Sequence, residues 1–144
     1  MIKLPKDKEE VLCISVHVTN STEEVNGEVT TVRVNFNGSC STDWFKGAIL
    51  PGAVDVQRYG KNGLLSLCAT YELNGEDYTG AFCSVKIVNS GVIGKLTPVI
   101  QTDSKALHFL NGAHLSATIE GSGTELIIPI LMNEKSTSDA NATR

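Results

Sequence analysis

The chain has 144 residues, of which 41% are apolar, so it can form one globular domain with its own core. Its net charge is −4 and no cluster of Lys or Arg occurs along it, which argues against a nucleic-acid partner. No stretch reaches the ~18 apolar residues of a membrane helix, and charged residues stand where a secretory signal would be apolar. We therefore expect a cytoplasmic protein with neither a nucleic-acid nor a membrane partner.

Seven segments have the alternation or the residue composition of β-strands. In 11–19, for example, Leu12, Ile14 and Val16 share one face, which is the period of a half-buried strand. The seven predicted strands are 11–19, 29–36, 64–73, 78–88, 94–101, 113–120 and 124–132. Only 102–110 has a helix signal, and Pro129 inside the last strand predicts an edge, a bulge or a subunit border.

Five Asn-Gly dipeptides divide these segments. Asn and Gly tolerate the positive φ angles of a type I′ turn, so the pair typically joins antiparallel strands. Asn62-Gly63 and Asn74-Gly75 flank one strand and predict hairpin turns, and Gly121-Ser122-Gly123 predicts another. The five dipeptides begin at Asn26, Asn37, Asn62, Asn74 and Asn111.

This pattern predicts an all-β fold, either a sandwich or a closed barrel, in one domain over residues 1–132. A barrel of about eight strands is wide enough to hold one small ligand. The polar residues 133–144 are predicted to be a disordered tail. Four cysteines without a C-x-x-C pair favour reduced, buried thiols over a disulfide framework: Cys13, Cys40, Cys68 and Cys83.

Candidate site residues follow the Pro51-Gly52 turn. If 54–57 is extended, Asp55 and Gln57 share a face and can aim a carboxylate and an amide into a cavity. The alternative is that Asp55 accepts hydrogen bonds from the amides of its own turn. Tyr71 is either a core tyrosine with a partner or a hydrogen-bond donor to a ligand.

Several kinds of site have no signature in the chain. His17, His108 and His114 lack metal-ligand spacing, so no metal is expected. Neither a dinucleotide fingerprint nor a P-loop nor a nucleophile motif occurs, so no cofactor is expected. Four polar residues of the first two strands either line a cavity mouth or face water: Ser15, His17, Arg33 and Asn35.

Four ordered motifs resemble the uncharacterised domain of unknown function 3237 family. The first is Gly47-x-x-x-Pro51-Gly52-x-x-Asp55-x-Gln57, followed by Ala69-x-Tyr71, Asn89-x-Gly91 and the stretch from Thr97-Pro98 to Leu110-Asn111. The resemblance implies a single antiparallel β-barrel of about eight strands, calycin-like or allene-oxide-cyclase-like, with at most one short helix and no established reaction. By the same resemblance, the site residues are Asp55, Gln57, Tyr71, Asn89, Gln101 and Asn111.

The chain departs from the family pattern at five positions: Ala53, Val56, Gln101, Leu107 and Phe109. Gln101 replaces the family's Glu, and an amide cannot act as a general acid or base. Asp55 is therefore the one titrating candidate in the set, and a mechanism with two carboxylates is not expected.

Three functions are compatible with this sequence. The first is binding of a small organic molecule in a barrel cavity. The second is a cofactor-independent cyclase, isomerase or lyase in which Asp55 moves a proton and Tyr71 and Asn89 stabilise an oxyanion. The third is an oligomeric structural scaffold. Apolar residues on both faces of the last strand, such as Ile127 and Ile128, predict a homo-oligomer.

Overall fold

Ten β-strands and one short 3₁₀ helix form the regular structure of residues 4–133, the range that the computed structural model of the protein describes. In chain order the elements are β1 (Glu10–Asn26), β2 (Val29–Ser41), β3 (Phe45–Ile49), β4 (Val54–Gly60), β5 (Gly63–Asp77), β6 (Phe82–Val92), β7 (Lys95–Thr102), the 3₁₀ helix His108–Leu110, β8 (Leu115–Ala117), β9 (Glu120–Ser122) and β10 (Glu125–Met132).

The strands close into an antiparallel ring, so the predicted all-β barrel is confirmed. The ring runs β1-β10-β8-β7-β6-β5, then through β3 and β4 to β2, which pairs with β1 again. Both β3 and β4 lie between the long strands β2 and β5, each pairing with a different half of them. Two short strands thus fill one position in the ring, and a Pro51-Gly52 turn separates them.

One end of the barrel is filled by apolar side chains. The segment after β7 contributes Leu107 and Leu110, both fully buried in the core. The ring of Trp44 packs edge-on against Phe109, with ring centroids 5.2 Å apart. Of the predicted helix 102–110, the structure forms only the 3₁₀ turn His108–Leu110, since Thr102 still belongs to β7 and the residues between them form no regular element.

The Asn-Gly dipeptides play two different structural roles. Asn26-Gly27 and Asn62-Gly63 lie at the β1–β2 and β4–β5 turns as predicted. Asn74-Gly75 does not form a turn, and the hairpin prediction there was wrong: both residues lie inside β5, opposite β3. A Cβ at Gly75 would stand 2.0 Å from the carbonyl oxygen of Lys46, so glycine is needed for close backbone approach rather than for a turn.

Asn37-Gly38 also lies within a strand, β2, rather than at its end. A Cβ at Gly38 would stand 1.9 Å from the carbonyl oxygen of Ser15 on β1. Both misread dipeptides therefore lie where a long strand is pressed against its neighbour. Glycine inside a strand often marks such a close approach, and the dipeptide alone does not distinguish this role from a turn.

Pro129 lies in β10, opposite the interruption between β8 and β9. Its carbonyl accepts a hydrogen bond from the Thr118 amide at 3.3 Å. Because the amide and carbonyl of one strand residue point to the same side, the donor that proline lacks would also face this interruption. The proline thus occupies a place where the neighbouring strand is already broken.

The outer surface of the barrel carries exposed apolar side chains. Ile127 is 39% exposed on the outer face of β10, and the predicted homo-oligomer stays a prediction that gel filtration can test. All four cysteines are free thiols. The predicted disordered tail lies outside the described residues from position 134 onward. Within the described range, no helix is long and apolar enough to cross a membrane.

Candidate functional site

The end of the barrel opposite the 3₁₀ helix contains a cavity of about 280 Å³. Two facing walls differ in character. The apolar wall comes from β1, β2, β10 and the residue before β9: Val16, Val18, Val32, Val34, Phe36, Ile119, Leu126 and Ile128. The polar wall comes from β4, β5 and β6: Asp55, Gln57, Tyr71 and Asn89, with Leu67 and Ala69 between them.

Strand register places the polar side chains together. Asp55 on β4 pairs with Ala69 on β5, and Ala69 pairs with Asn89 on β6. The three residues form a row across the sheet with side chains on one face, because directly opposed residues point the same way. The small Ala69 leaves space between the carboxyl and the amide. Tyr71, two residues further along β5, lies on the same face and one level deeper.

A ladder of hydrogen bonds along β4 holds the carboxyl of Asp55. Tyr59 donates its hydroxyl hydrogen to Gln57 Oε1 at 2.8 Å, and Gln57 Nε2 donates to Asp55 Oδ2 at 2.7 Å. Alternate residues of a strand share a face, so the spacing of two brings all three side chains into line. The side chains that hold the Asp55 carboxyl therefore belong to β4 itself and not to the Pro51-Gly52 turn.

Three polar atoms in this cavity are buried and have no hydrogen-bond partner within the described residues: Asp55 Oδ1, the Tyr71 hydroxyl and Asn89 Oδ1. Tyr71 is 4% exposed and Asn89 is 2% exposed. Buried polar groups in native proteins nearly always have partners, and leaving one without a partner costs about 1–3 kcal/mol. All three belong to residues that line the same cavity, so the chain concentrates these costs in one place.

The cavity also perturbs the acidity of its side chains. Burial raises the pKa of the Asp55 carboxyl. Two smaller effects lower this pKa and offset the rise only in part: the hydrogen bond from Gln57 and the interaction with the backbone of Cys68. Burial raises the pKa of the Tyr71 hydroxyl well above its usual range, with a smaller contribution from Cys40. Tyr71 is therefore a hydrogen-bond donor at neutral pH, and Asp55 is a stronger proton acceptor than an exposed aspartate.

Two of the residues proposed for the site do not reach this cavity. Gln101 is exposed on the outer face of β7, next to the buried Ile100. Asn111 follows the 3₁₀ helix at the filled end, where its side chain accepts a hydrogen bond from the Thr102 amide at 2.8 Å and donates to the Thr102 carbonyl at 3.1 Å. These two hydrogen bonds join the segment that covers this end to the end of β7.

Two polar residues of β1 and β2 face the outside of the barrel. His17 pairs with Glu125 on β10, and Arg33 lies 3.5 Å from Glu24.

Tyr59 was not among the predicted site residues. Its signal was the spacing of two from Gln57 and Asp55, a pattern that also describes any surface strand.

A second polar cluster lies at the filled end. The carboxylate of Asp77 accepts hydrogen bonds from the Thr79 amide at 2.9 Å and from the Ser104 hydroxyl at 2.7 Å. The Ser104 hydroxyl also accepts the Leu107 amide at 3.0 Å. Asp77 thus ties the β5–β6 loop to the segment before the 3₁₀ helix. Within residues 4–133, no group of three or more His, Cys, Asp or Glu side chains could hold a metal ion.

Known structures share this fold without sharing much sequence. A protein of unknown function from Clostridium acetobutylicum matches 93% of this chain and 100% of its own, with 16% identity and a TM-score of 0.72. A β-barrel-like protein from Acinetobacter baumannii matches 92% of this chain and 99% of its own, with 16% identity and a TM-score of 0.66. An enzyme from Penicillium herquei matches 90% of this chain and 99% of its own, with 14% identity and a TM-score of 0.60.

These similarities show the fold alone. No protein-family model matches the chain, and no curated protein matches it either. The resemblance to the domain of unknown function 3237 family therefore stays a prediction.

Proposed function

We propose that the protein binds a small organic molecule in the barrel cavity. The observation that carries this proposal is the convergence of three buried, unpaired polar atoms in one apolar-walled space: Asp55 Oδ1, the Tyr71 hydroxyl and Asn89 Oδ1. Binding sites for small molecules have this composition, a largely apolar lining with a few converging polar groups. A ligand that pairs with these atoms supplies the hydrogen bonds that the described residues do not make.

Native mass spectrometry of the protein as isolated tests the proposal, together with a metabolite screen read by thermal shift. A ligand that binds only the folded state raises the melting temperature. Ala69→Leu fills the space between Asp55 and Asn89 and should abolish both the bound mass and the thermal shifts. Val99→Leu is the matched control, because Val99 is 55% exposed on the outer face of β7. Hits that bind wild type and Ala69→Leu equally would place binding elsewhere and contradict the proposal.

A second candidate function is proton transfer without a cofactor. Asp55 supports it, because burial raises the pKa of a carboxyl whose second oxygen faces the cavity. Such a group can take a proton from a bound substrate, while Tyr71 donates a hydrogen bond to the oxygen on which charge develops. The enzyme from Penicillium herquei has a similar fold, so this type of barrel is compatible with catalysis.

Incorporation of deuterium from solvent into a bound carbonyl compound tests this activity. Asp55→Asn should abolish the exchange and retain binding, because the amide keeps the shape of the carboxyl but cannot accept the proton. Exchange that continues at the wild-type rate in Asp55→Asn would exclude Asp55 as the base.

A further inference from the structure

The three unpaired atoms of the cavity have different hydrogen-bonding needs. Asn89 Oδ1 is an acceptor, and so is Asp55 Oδ1 when the carboxyl is ionised. The Tyr71 hydroxyl carries a hydrogen that has no acceptor within the described residues. A ligand that satisfies all three must therefore bring both donors and an acceptor.

The charges of the cavity lining limit which ligands can be buried there. Among residues 4–133, none of those lining the cavity is Lys, Arg or His. An anionic ligand would lose its hydration without gaining a cation, and it would lie beside Asp55, which makes its burial costly. An ammonium ligand could pair with Asp55 and Asn89, but it has no lone pair for the Tyr71 hydroxyl hydrogen. A neutral ligand with both hydrogen-bonding functions meets neither obstacle.

The size and the walls of the cavity describe the rest of the molecule. An apolar cavity of about 150 Å³ accommodates benzene, so about 280 Å³ corresponds to roughly eleven non-hydrogen atoms, the size of a bicyclic compound. The wall formed by Val34, Phe36 and Leu126 faces the polar wall, so the carbon frame packs on one side. The polar groups of the ligand then lie along its other edge.

We infer that the ligand is a neutral, bicyclic-sized hydroxyketone, with a carbonyl oxygen that accepts from Tyr71 and a hydroxyl that donates to Asp55 or Asn89. This inference rests on the proposed binding function and specifies its ligand. The carbonyl lies against Tyr71, the deeper of the polar residues. The hydroxyl lies one level nearer the mouth, in the row of Asp55, Ala69 and Asn89.

Five probes with similar bicyclic carbon frames test the inference by titration calorimetry on the full chain, refolded from denaturant to remove any bound ligand. They are α-hydroxytetralone, tetralone, tetralin, aminotetralin and naphthoate. Each hydrogen bond to a buried group should contribute about ten-fold in affinity. We expect α-hydroxytetralone to bind about ten-fold tighter than tetralone, and tetralone about ten-fold tighter than tetralin. Aminotetralin and naphthoate should bind at least ten-fold more weakly than the hydroxyketone.

Variants assign each contact. Tyr71→Phe should weaken tetralone to the level of tetralin, and Asn89→Leu should reduce the advantage that the hydroxyl confers. Gln101→Ala on the outer face is the control and should leave all five affinities unchanged. Urea denaturation of each variant verifies that it is folded.

The outcomes separate this inference from the proposed function. If the five probes bind within a factor of three of one another, or if the amine or the carboxylate binds tightest, the hydroxyketone class is overturned while cavity binding stands. If no probe binds but the metabolite screen gives hits that Ala69→Leu abolishes, the class is again overturned and the function stands. If neither experiment detects a ligand, both are overturned.

Discussion

The Tyr71 hydroxyl provides the sharpest test of the site, because the structure predicts that removing it stabilises the unliganded protein. Tyr71 is 4% exposed, and its hydroxyl has no partner among the described residues. Its ring packs edge-on against Phe36, with centroids 5.4 Å apart, and phenylalanine retains that contact. Tyr71→Phe therefore removes an unpaired buried hydroxyl and little else.

The expected gain follows from the cost of burying such a group. An unpaired buried hydroxyl costs about 1–3 kcal/mol, so Tyr71→Phe should raise the free energy of unfolding by about 1–2 kcal/mol. For a chain of this length, the melting temperature should rise by roughly 3–7 °C. Urea denaturation of refolded, ligand-free protein measures the change, provided that the slope with denaturant stays constant.

Tyr59→Phe is the matched control, since it removes a hydroxyl that has a partner. Tyr59 donates to Gln57 at 2.8 Å, so its loss should lower the free energy of unfolding by about 0.5–1.5 kcal/mol. The two substitutions are chemically identical and should have opposite signs. A Tyr71→Phe protein that is equally stable or less stable than wild type would show that the hydroxyl is satisfied without a ligand, and would refute the reasoning.

Three further changes test other parts of the structure. Gly75→Ala should lower the free energy of unfolding, measured with urea, by about 3 kcal/mol or more, since its Cβ would stand 2.0 Å from the Lys46 carbonyl oxygen. Gly80→Ala is the control: a Cβ there has open space but a φ of 85°, so the loss should be only about 1–2 kcal/mol. Equal losses in the two variants would contradict the close approach at Gly75. Burial alone would raise the pKa of Asp77, but hydrogen bonds hold it below its usual value. The stability that ionised Asp77 contributes is therefore present above its unfolded pKa and is lost as pH falls through its folded pKa. Asp77→Asn should make the free energy of unfolding fall less steeply in acid, and an unchanged slope would contradict this. Burial raises the pKa of Asp55, so the contribution of this carboxyl to stability is full below its unfolded pKa and is lost as pH rises through its folded pKa. Asp55→Asn should therefore raise the free energy of unfolding of the ligand-free protein at neutral pH but not in acid. A gain of the same size at both pH values would contradict the raised pKa.

The fold was largely predictable because its signals are local. Alternation in segments such as 11–19 and 64–73 depends on one face of each strand entering the core, and both segments lie within strands of the barrel. The predictions were wrong where a local signal has two physical causes. Asn74-Gly75 has the composition of a turn, but glycine is present there because β3 approaches the backbone of β5. That approach depends on a pairing between residues about 30 positions apart, as Gly47 with Gly75, which no local pattern encodes.

The site was less predictable, because it depends on which face of each strand points inward. Asp55, Tyr71 and Asn89 come together through the registers of β4, β5 and β6. Gln101 lies only one residue from the buried Ile100, and that single step places it outside the barrel. Tyr59 contributes to the site only through Gln57, and a supporting contact of this kind becomes visible once hydrogen bonds are known.

The polar wall of the cavity imposes an energetic cost that the rest of the barrel must offset. Three unpaired buried groups at about 1–3 kcal/mol each amount to a large part of the 5–15 kcal/mol that stabilises a typical domain. Apolar residues of similar size would fill these positions without that cost. Leu73, two residues from Tyr71 on β5, and Ile87, two residues from Asn89 on β6, are fully buried apolar side chains of this kind. Two further hydrogen bonds hold Asp55 in place, one from Gln57 to Asp55 and one from Tyr59 to Gln57. A side chain that is both costly to bury and held in position by its neighbours is expected at a site that acts on a ligand, because preorganised polar groups gain their partners only when it binds.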